Sequence, residues 1–395
     1  MSDVGVKRNV VLLVGGILLM SCTSEKPIAH FSPLPTATPS QAAATPTPSP
    51  FPSTTAESGT VTCSGRPSAT MAVIAREFLY DVTDPIHPRL ICHATNTGME
   101  LLDNKTVGFT TVVANHVVIV RRDLTTGAES PGAQLHMAPK PRYWFGATWT
   151  WDGALEVYGT SVPINTGPYP VRVHLWSKGA DHALYTVQAI PGGIESRWFG
   201  RSILELSPDR SYLAISDLGF SVVNNRVRVF GVADRRQKFV ATTASTGGTW
   251  VAPDRFVWAT AAGFTPSGKV MAWTPAGGAK VLRSESWFEA TSSSDGRWLA
   301  ATLATDFTFP RVVIAPLGSG RTFRTGLASS PAFVTPTVVW YAEEKKEPAA
   351  YNLTSPDGVI HGFNVVNQTD RIVTFKAGEA PKDTSGTIQC CWVQG

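Results

Sequence analysis

The twelve residues LSPDRSYLAISD, numbers 206–217, decide the fold. Ser207-Pro208-Asp209 is a turn signal, because a short carboxylate can accept from backbone N–H groups two residues on. The residues after it alternate apolar and polar, the period-two pattern of a half-buried strand. Weaker copies of the same unit lie on both sides: WTWDGALEVYGT at 149–160, WVAPDRFVWAT at 250–260 and SSSDGRWLAATL at 292–303. A degraded copy, AFVTPTVVWYA, occupies 332–342, and a fainter one, LLDNKTVGFTTV, occupies 101–112. The recurring aspartates are Asp103, Asp152, Asp209, Asp254 and Asp295, spaced by 49, 57, 45 and 41 residues.

Each full copy is followed by two further β-patterned runs, such as 226–230 with 238–243 and 271–275 with 279–283. Four strands per period of about 40–50 residues describe a β-propeller blade. The composition agrees: 34 Gly, 29 Pro and 12 Trp in 395 residues suit many short strands joined by turns. Three runs at 71–75, 78–82 and 89–94 precede the first aspartate copy, one strand short of a blade. We therefore expect an all-β propeller of seven four-stranded blades (six being the alternative), with the C-terminal run GTIQCC at 386–391 completing the first blade. Closing the ring in this way removes exposed sheet edges.

SPDRSYLAISD and SSDGRWLAATL resemble the repeat of TolB-type and related WD-like propellers, in which SPDG marks the turn between first and second strands. The resemblance implies the fold over about 63–395. It carries little about function, because the repeat is structural. TolB's additional α/β domain has no counterpart here, so the resemblance implies no TolB-like role in outer-membrane integrity.

The first 60 residues read as an address and a spacer. Lys7 and Arg8 precede VVLLVGGILLM at 10–20, an apolar run of eleven. A bilayer span needs roughly 20 residues, so 1–21 reads as a secretory signal peptide. Its end, Leu19-Met20-Ser21-Cys22, resembles the bacterial lipobox, which implies cleavage before Cys22, acylation of that cysteine and attachment to a membrane. Residues 22–60, rich in Pro, Thr, Ser and Ala, form a tether with too little apolar surface to order itself. The folded domain is expected over 61–395. The implied location is the cell envelope, on the outer side of the cytoplasmic membrane or in the periplasm or outer membrane where one exists.

An exported chain favours disulfides. Cys63, Cys92, Cys390 and Cys391 are the candidates, and adjacent strand residues point to opposite faces. The expectation is that one of Cys390 and Cys391 bonds to Cys63 and the other to Cys92, tying the two ends of the domain together. These cysteines lack CxxC spacing and a nearby histidine, so no metal site and no cofactor is read.

Three Trp-Phe pairs precede the innermost strands of three blades: Trp144-Phe145, Trp198-Phe199 and Trp287-Phe288. With Arg142, Arg197 and Arg201 beside them, they make a candidate contact patch, since Trp and Arg dominate binding hot spots. The competing reading is core packing between blades. No G-x-S-x-G elbow or HExxH occurs, and no catalytic residue is assigned. The formal net charge of +4 is spread without a basic cluster, which argues against nucleic acid. The functional expectation is a monomeric, membrane-anchored module that binds an envelope protein or glycan, or scaffolds one. The alternative is a metal-dependent hydrolase or lyase with its site in the channel, because a channel can gather single histidines from several blades.

Overall fold

The computed structural model describes residues 59–381 except 67, 69, 75–76, 96, 115, 135–143, 150–154, 162–168, 190–203, 218–224, 244–247, 253, 261–267, 286, 304–309 and 347–353. The segment read as a signal peptide, Cys22, most of the segment read as a tether and the 386–391 run lie outside them. Among the described residues, 28 strands form seven antiparallel four-stranded sheets, and no helix occurs. They are the seven blades of a propeller, spanning residues 60–95, 99–134, 144–189, 204–243, 248–283, 287–324 and 328–372.

The aspartate turns behave as their chemistry demands. Backbone N–H groups of Lys105, Ser211 and Arg297 donate to Oδ1 of Asp103, Asp209 and Asp295 at 2.7, 3.0 and 3.0 Å. In two blades a serine completes the turn. Ser207 Oγ donates to Asp209 at 2.7 Å and accepts from the Tyr212 N–H at 2.9 Å. Ser293 repeats this with Asp295 at 2.6 Å and Trp298 at 2.9 Å. Burial acts to raise the Asp209 carboxyl, but hydrogen bonds from Ser207 and Ser211 outweigh it and hold the group below the usual carboxylate range. The next residue is left-handed in both turns: Gly296 at φ 65° and Arg210 at φ 63°.

Strand alternation sends neighbouring side chains to opposite faces, and each sheet accordingly packs on the blades to either side. Ala214 joins Trp250, Phe256 and Trp258 of the fifth blade, while Leu213 and Ile215 join Val157 and Leu175 of the third. Leu299 and Ala301 face the fifth blade, and Ala300 faces Phe333 and Val339 of the seventh. The core is thus a ring of interfaces between blades. The first strands of successive sheets, such as Gly248–Ala252, Trp287–Ser292 and Ala328–Phe333, lie side by side and form the innermost layer.

The first blade corrects two expectations. Its fourth strand is Thr60–Cys63, at the edge beside Arg89–Thr95, so the sheet is complete without the C-terminal run. The short apolar content of Thr60–Cys63 hid it in the sequence, where it merged with the tether. Cys63 and Cys92 then face each other directly in this ladder and are bonded to each other, not to Cys390 or Cys391. Opposed residues of an antiparallel pair bring their Cβ atoms close on one face, which made this the available pairing. Cys390 and Cys391 lie outside the described residues.

Packing closes the ring. Ala72, Ile74, Phe78 and Tyr80 of the first blade share a core with Val338, Trp340 and Ile360 of the seventh. The segment after the last strand adds to this seam: Phe375 meets Tyr80 and Trp340 at ring separations of 5.5 and 5.6 Å, and Tyr80 Oη donates to the Glu379 carbonyl at 2.5 Å. Aromatic pairs of this kind contribute about 0.5–1.5 kcal/mol beyond the area they bury.

Candidate functional site at the seam of the sixth and seventh blades

Of the Trp-Phe pairs, the structure resolves the environment of one indole. Trp144 begins the innermost strand Trp144–Trp149 and pairs with Thr160; Trp287 begins Trp287–Ser292 and pairs with Leu303, the equivalent rung. Trp287 is 1% exposed, packed between the fifth and sixth blades with Val257, Ala272 and Leu299. Its Nε1 donates to Glu285 Oε2 at 2.8 Å, and Arg324 donates to Glu285 Oε1 at 2.6 Å. This indole is core, and its polar edge is already satisfied. The side chains of Trp144, Phe145 and Phe288, and residues Arg142, Arg197, Trp198, Phe199 and Arg201 altogether, lie outside what is described.

The same end of the neighbouring blade holds a less settled group. The innermost strand Ala328–Phe333 slips register against Val338–Lys346 between Ser329 and Ala332. Such a bulge re-aims side chains beside functional sites. Ser330 adopts φ 53°, and its N–H is held at 3.3 Å by Oγ1 of Thr302, a fully buried residue on the sixth blade. Ser329 hydrogen bonds through its hydroxyl to Glu344 Oε1. Glu344 is 8% exposed, and its Oε2 is buried with no hydrogen-bond partner among the described residues. Burial pushes this carboxyl above its ordinary range, opposed by the Ser329 hydrogen bond.

The neighbouring residues of the same strand carry an array of aromatic and charged side chains. Tyr341 stacks on His361 at 5.2 Å and donates to Asp370 Oδ2 at 2.6 Å. His361 Nε2 lies 3.4 Å from Glu343 Oε2, and its Nδ1 lies 3.3 Å from Asp370 Oδ2, in ion-pair range though without hydrogen-bond alignment. Burial, reinforced by the Asp370 contact, raises the Tyr341 phenol. The array bridges three strands of one blade. Among the described residues, no three His, Cys, Asp or Glu side chains converge as metal ligands.

Glu344 was invisible in the sequence as a site. EEKKE at 343–347 reads as a mixed charge run on a solvated face. Alternation does not single it out, because Trp340, Tyr341 and Ala342 before it are all buried and the ladder to Thr354–Asn364 slips register between Ala342 and Glu344.

No protein-family model and no curated protein matches this chain. Among solved structures it is similar to one from a study of two prolyl endopeptidases, with a TM-score of 0.45 and 17% identity over 80% of this chain and 49% of that one. It spans about half the length of that protein. It is also similar to an oligogalacturonate lyase in complex with manganese, at TM-score 0.39 and 12% identity over 68% of this chain and 73% of that one. TolB from Acinetobacter baumannii follows at TM-score 0.36 and 13% identity, with 74% of each chain covered. At these identities the likeness is one of fold.

Proposed function

We propose that this chain is an extracytoplasmic, membrane-anchored β-propeller that binds a protein or glycan, or scaffolds one, at the end where its innermost strands begin. The observation that carries the reading is the ring of seven four-stranded blades, an architecture that gathers residues from several blades at one end. The Cys63–Cys92 disulfide supports a location outside the reducing cytoplasm. The basic start, apolar run and lipobox-like Leu19-Met20-Ser21-Cys22 support an acyl anchor at Cys22, with 22–60 as the spacer.

Two measurements test this. Cys22→Ser should move the protein from the membrane fraction to the soluble fraction; unchanged fractionation would remove the anchor. Cross-linking in intact cells should then capture a recurring envelope partner. Trp144→Ala with Trp198→Ala, assayed below its own unfolding midpoint, should reduce that capture. Capture that persists in this pair would exclude the Trp-Phe patch from the contact, and failure to capture any protein or glycan would overturn the binding reading.

A further inference from the structure

We propose that the hairpin end of the fourth blade is a contact surface for an anionic lipid bilayer; the proposal rests on the membrane-anchored reading above. Two turns meet at this end. The turn after Leu204–Leu206 carries Arg210, and the hairpin between Asn225–Gly231 and Gln237–Thr243 carries Arg235 and Arg236. The Val232 N–H donates to the Ser211 carbonyl at 2.9 Å and holds the two together. Arg210 and Arg235 are 25 residues apart in the chain, so no basic run announces them. Arg235, Arg236 and Lys238 are exposed, and Arg210 is half-buried. The carboxylates here are already engaged. Asp209 accepts from Ser207 and from the Ser211 N–H, while Asp234 accepts from the Arg236 N–H and pairs with Lys238. Four basic side chains thus stand against two carboxylates, and neither Arg210 nor Arg235 has an ion pair among the described residues.

The backbone gives a second, independent reason. Arg210 and Arg235 hold φ of 63° and 60°. In the sixth blade the turn closes on Ser293 as Arg210 closes on Ser207, and the residue there is Gly296. In the second blade the hairpin closes on Asp123 as Arg235 closes on Gly231, and the residue there is Gly127. The third blade makes the same choice of a basic residue, with Lys178 at φ 53° in its outer hairpin. A left-handed L-residue carries strain that glycine does not, and such outliers point to work done by the side chain. The position suits a flat surface. These residues are exposed at the tips of turns, so a bilayer reaches them without a cavity. The innermost strand Leu204–Leu206 finishes in this turn, so the arginines lie at the opposite end from where that strand begins. A ring resting on them turns its partner-binding end outward. Anionic headgroups attract each Lys or Arg brought near them, and the acyl anchor at Cys22 supplies the lasting hold, leaving these charges to set orientation. A nucleic acid would need a longer basic footprint.

The test uses the full-length Cys22→Ser protein, which cannot be acylated at that position, sedimented at low salt with vesicles. One set mixes phosphatidylglycerol with phosphatidylcholine, and the other is phosphatidylcholine alone. The protein should partition onto the anionic vesicles and not the neutral ones, and added salt should release it. Arg210→Gly with Arg235→Gly should weaken partition roughly fivefold for each arginine removed, while the unfolding midpoint stays at or above that of the parent. Arg210→Asn with Arg235→Asn, which also accepts the left-handed backbone, gives a second readout should the glycine pair fold poorly. Arg311→Gln with Arg371→Gln removes the same charge from exposed positions on the sixth and seventh blades and should leave partition unchanged. Equal partition by the glycine and asparagine pairs, equal binding to neutral vesicles, or an equal loss in the Arg311 and Arg371 control would overturn the surface. Arginine-dependent binding to a soluble acidic polysaccharide, with none to anionic vesicles, would assign the arginines to a glycan and overturn the bilayer. None of these results depends on acylation, so they are distinguishable from failure of the anchor, which fractionation of the unmodified chain reports.

Discussion

The indole Nε1 of Trp340 donates to the carbonyl oxygen of Pro85 at 2.9 Å, joining the seventh blade to the first across 255 residues of chain. The same indole meets Tyr80 edge-on at 5.9 Å. Ring closure therefore runs through side chains at this seam. Trp340→Ala should cost about 3–5 kcal/mol, the range for truncating a buried aromatic. Urea unfolding would check this, and a loss below 1 kcal/mol would mean the ring holds without this contact.

The two serine-aspartate turns allow a matched pair of tests. Ser207→Ala and Ser293→Ala each remove a buried hydroxyl that links an aspartate to a strand N–H, and each should cost about 1–2 kcal/mol. Arg210 sits at φ 63° where the equivalent residue is Gly296. An L-residue in this region carries a penalty of about 1–2 kcal/mol, partly offset by glycine's unfolded-state entropy. Arg210→Gly should thus raise the unfolding midpoint; a lower midpoint would show that the arginine side chain contributes more than the strain removes.

Glu344 predicts a pH dependence with a definite sign. Its folded-state pKa is raised by burial, so the folded chain binds more protons than the unfolded one between the ordinary glutamate value and the raised one. The stability from this group is full below that window and is lost as pH rises through it. Glu344→Gln should remove this component, visible as a shallower decline in unfolding free energy across that window. Identical profiles for both proteins would contradict the assignment.

The Cys63–Cys92 bond closes a separation of 29 residues and holds an edge strand whose other links are few. A loop of this size corresponds to about 3–4 kcal/mol in the chain-entropy treatment. Cys63→Ser with Cys92→Ser should destabilise the protein by up to that amount. Hydrogen exchange should show the faster opening first at Thr60–Cys63, ahead of the other blades. Uniform loss of protection around the ring would instead mean that the first blade opens with the whole.

Blade number and strand order for most of the ring were legible because a turn is a local device. Asp209 and Asp295 bond to atoms two residues away, so their spacing along the chain reports directly on the fold. Thr60–Cys63 was not legible, since what makes it a strand is the ladder of Arg89–Thr95, which no neighbouring residue announces. The disulfide followed from that pairing and was misassigned with it. Trp287 and Glu344 show the same limit for the site. An aromatic pair beside arginines reads alike whether it faces solvent or a neighbouring blade, and two consecutive glutamates read alike until one is turned inward.

By itself, then, the sequence determined the repeating unit: turns made by short side chains acting on their own backbone, and strands made by alternation. The tertiary structure alone decided which edge completes the first blade, which cysteines meet, and that Glu344 is enclosed with one oxygen unmatched. Those outcomes depend on distances between residues far apart in the chain, and such distances exist only once the blades have packed.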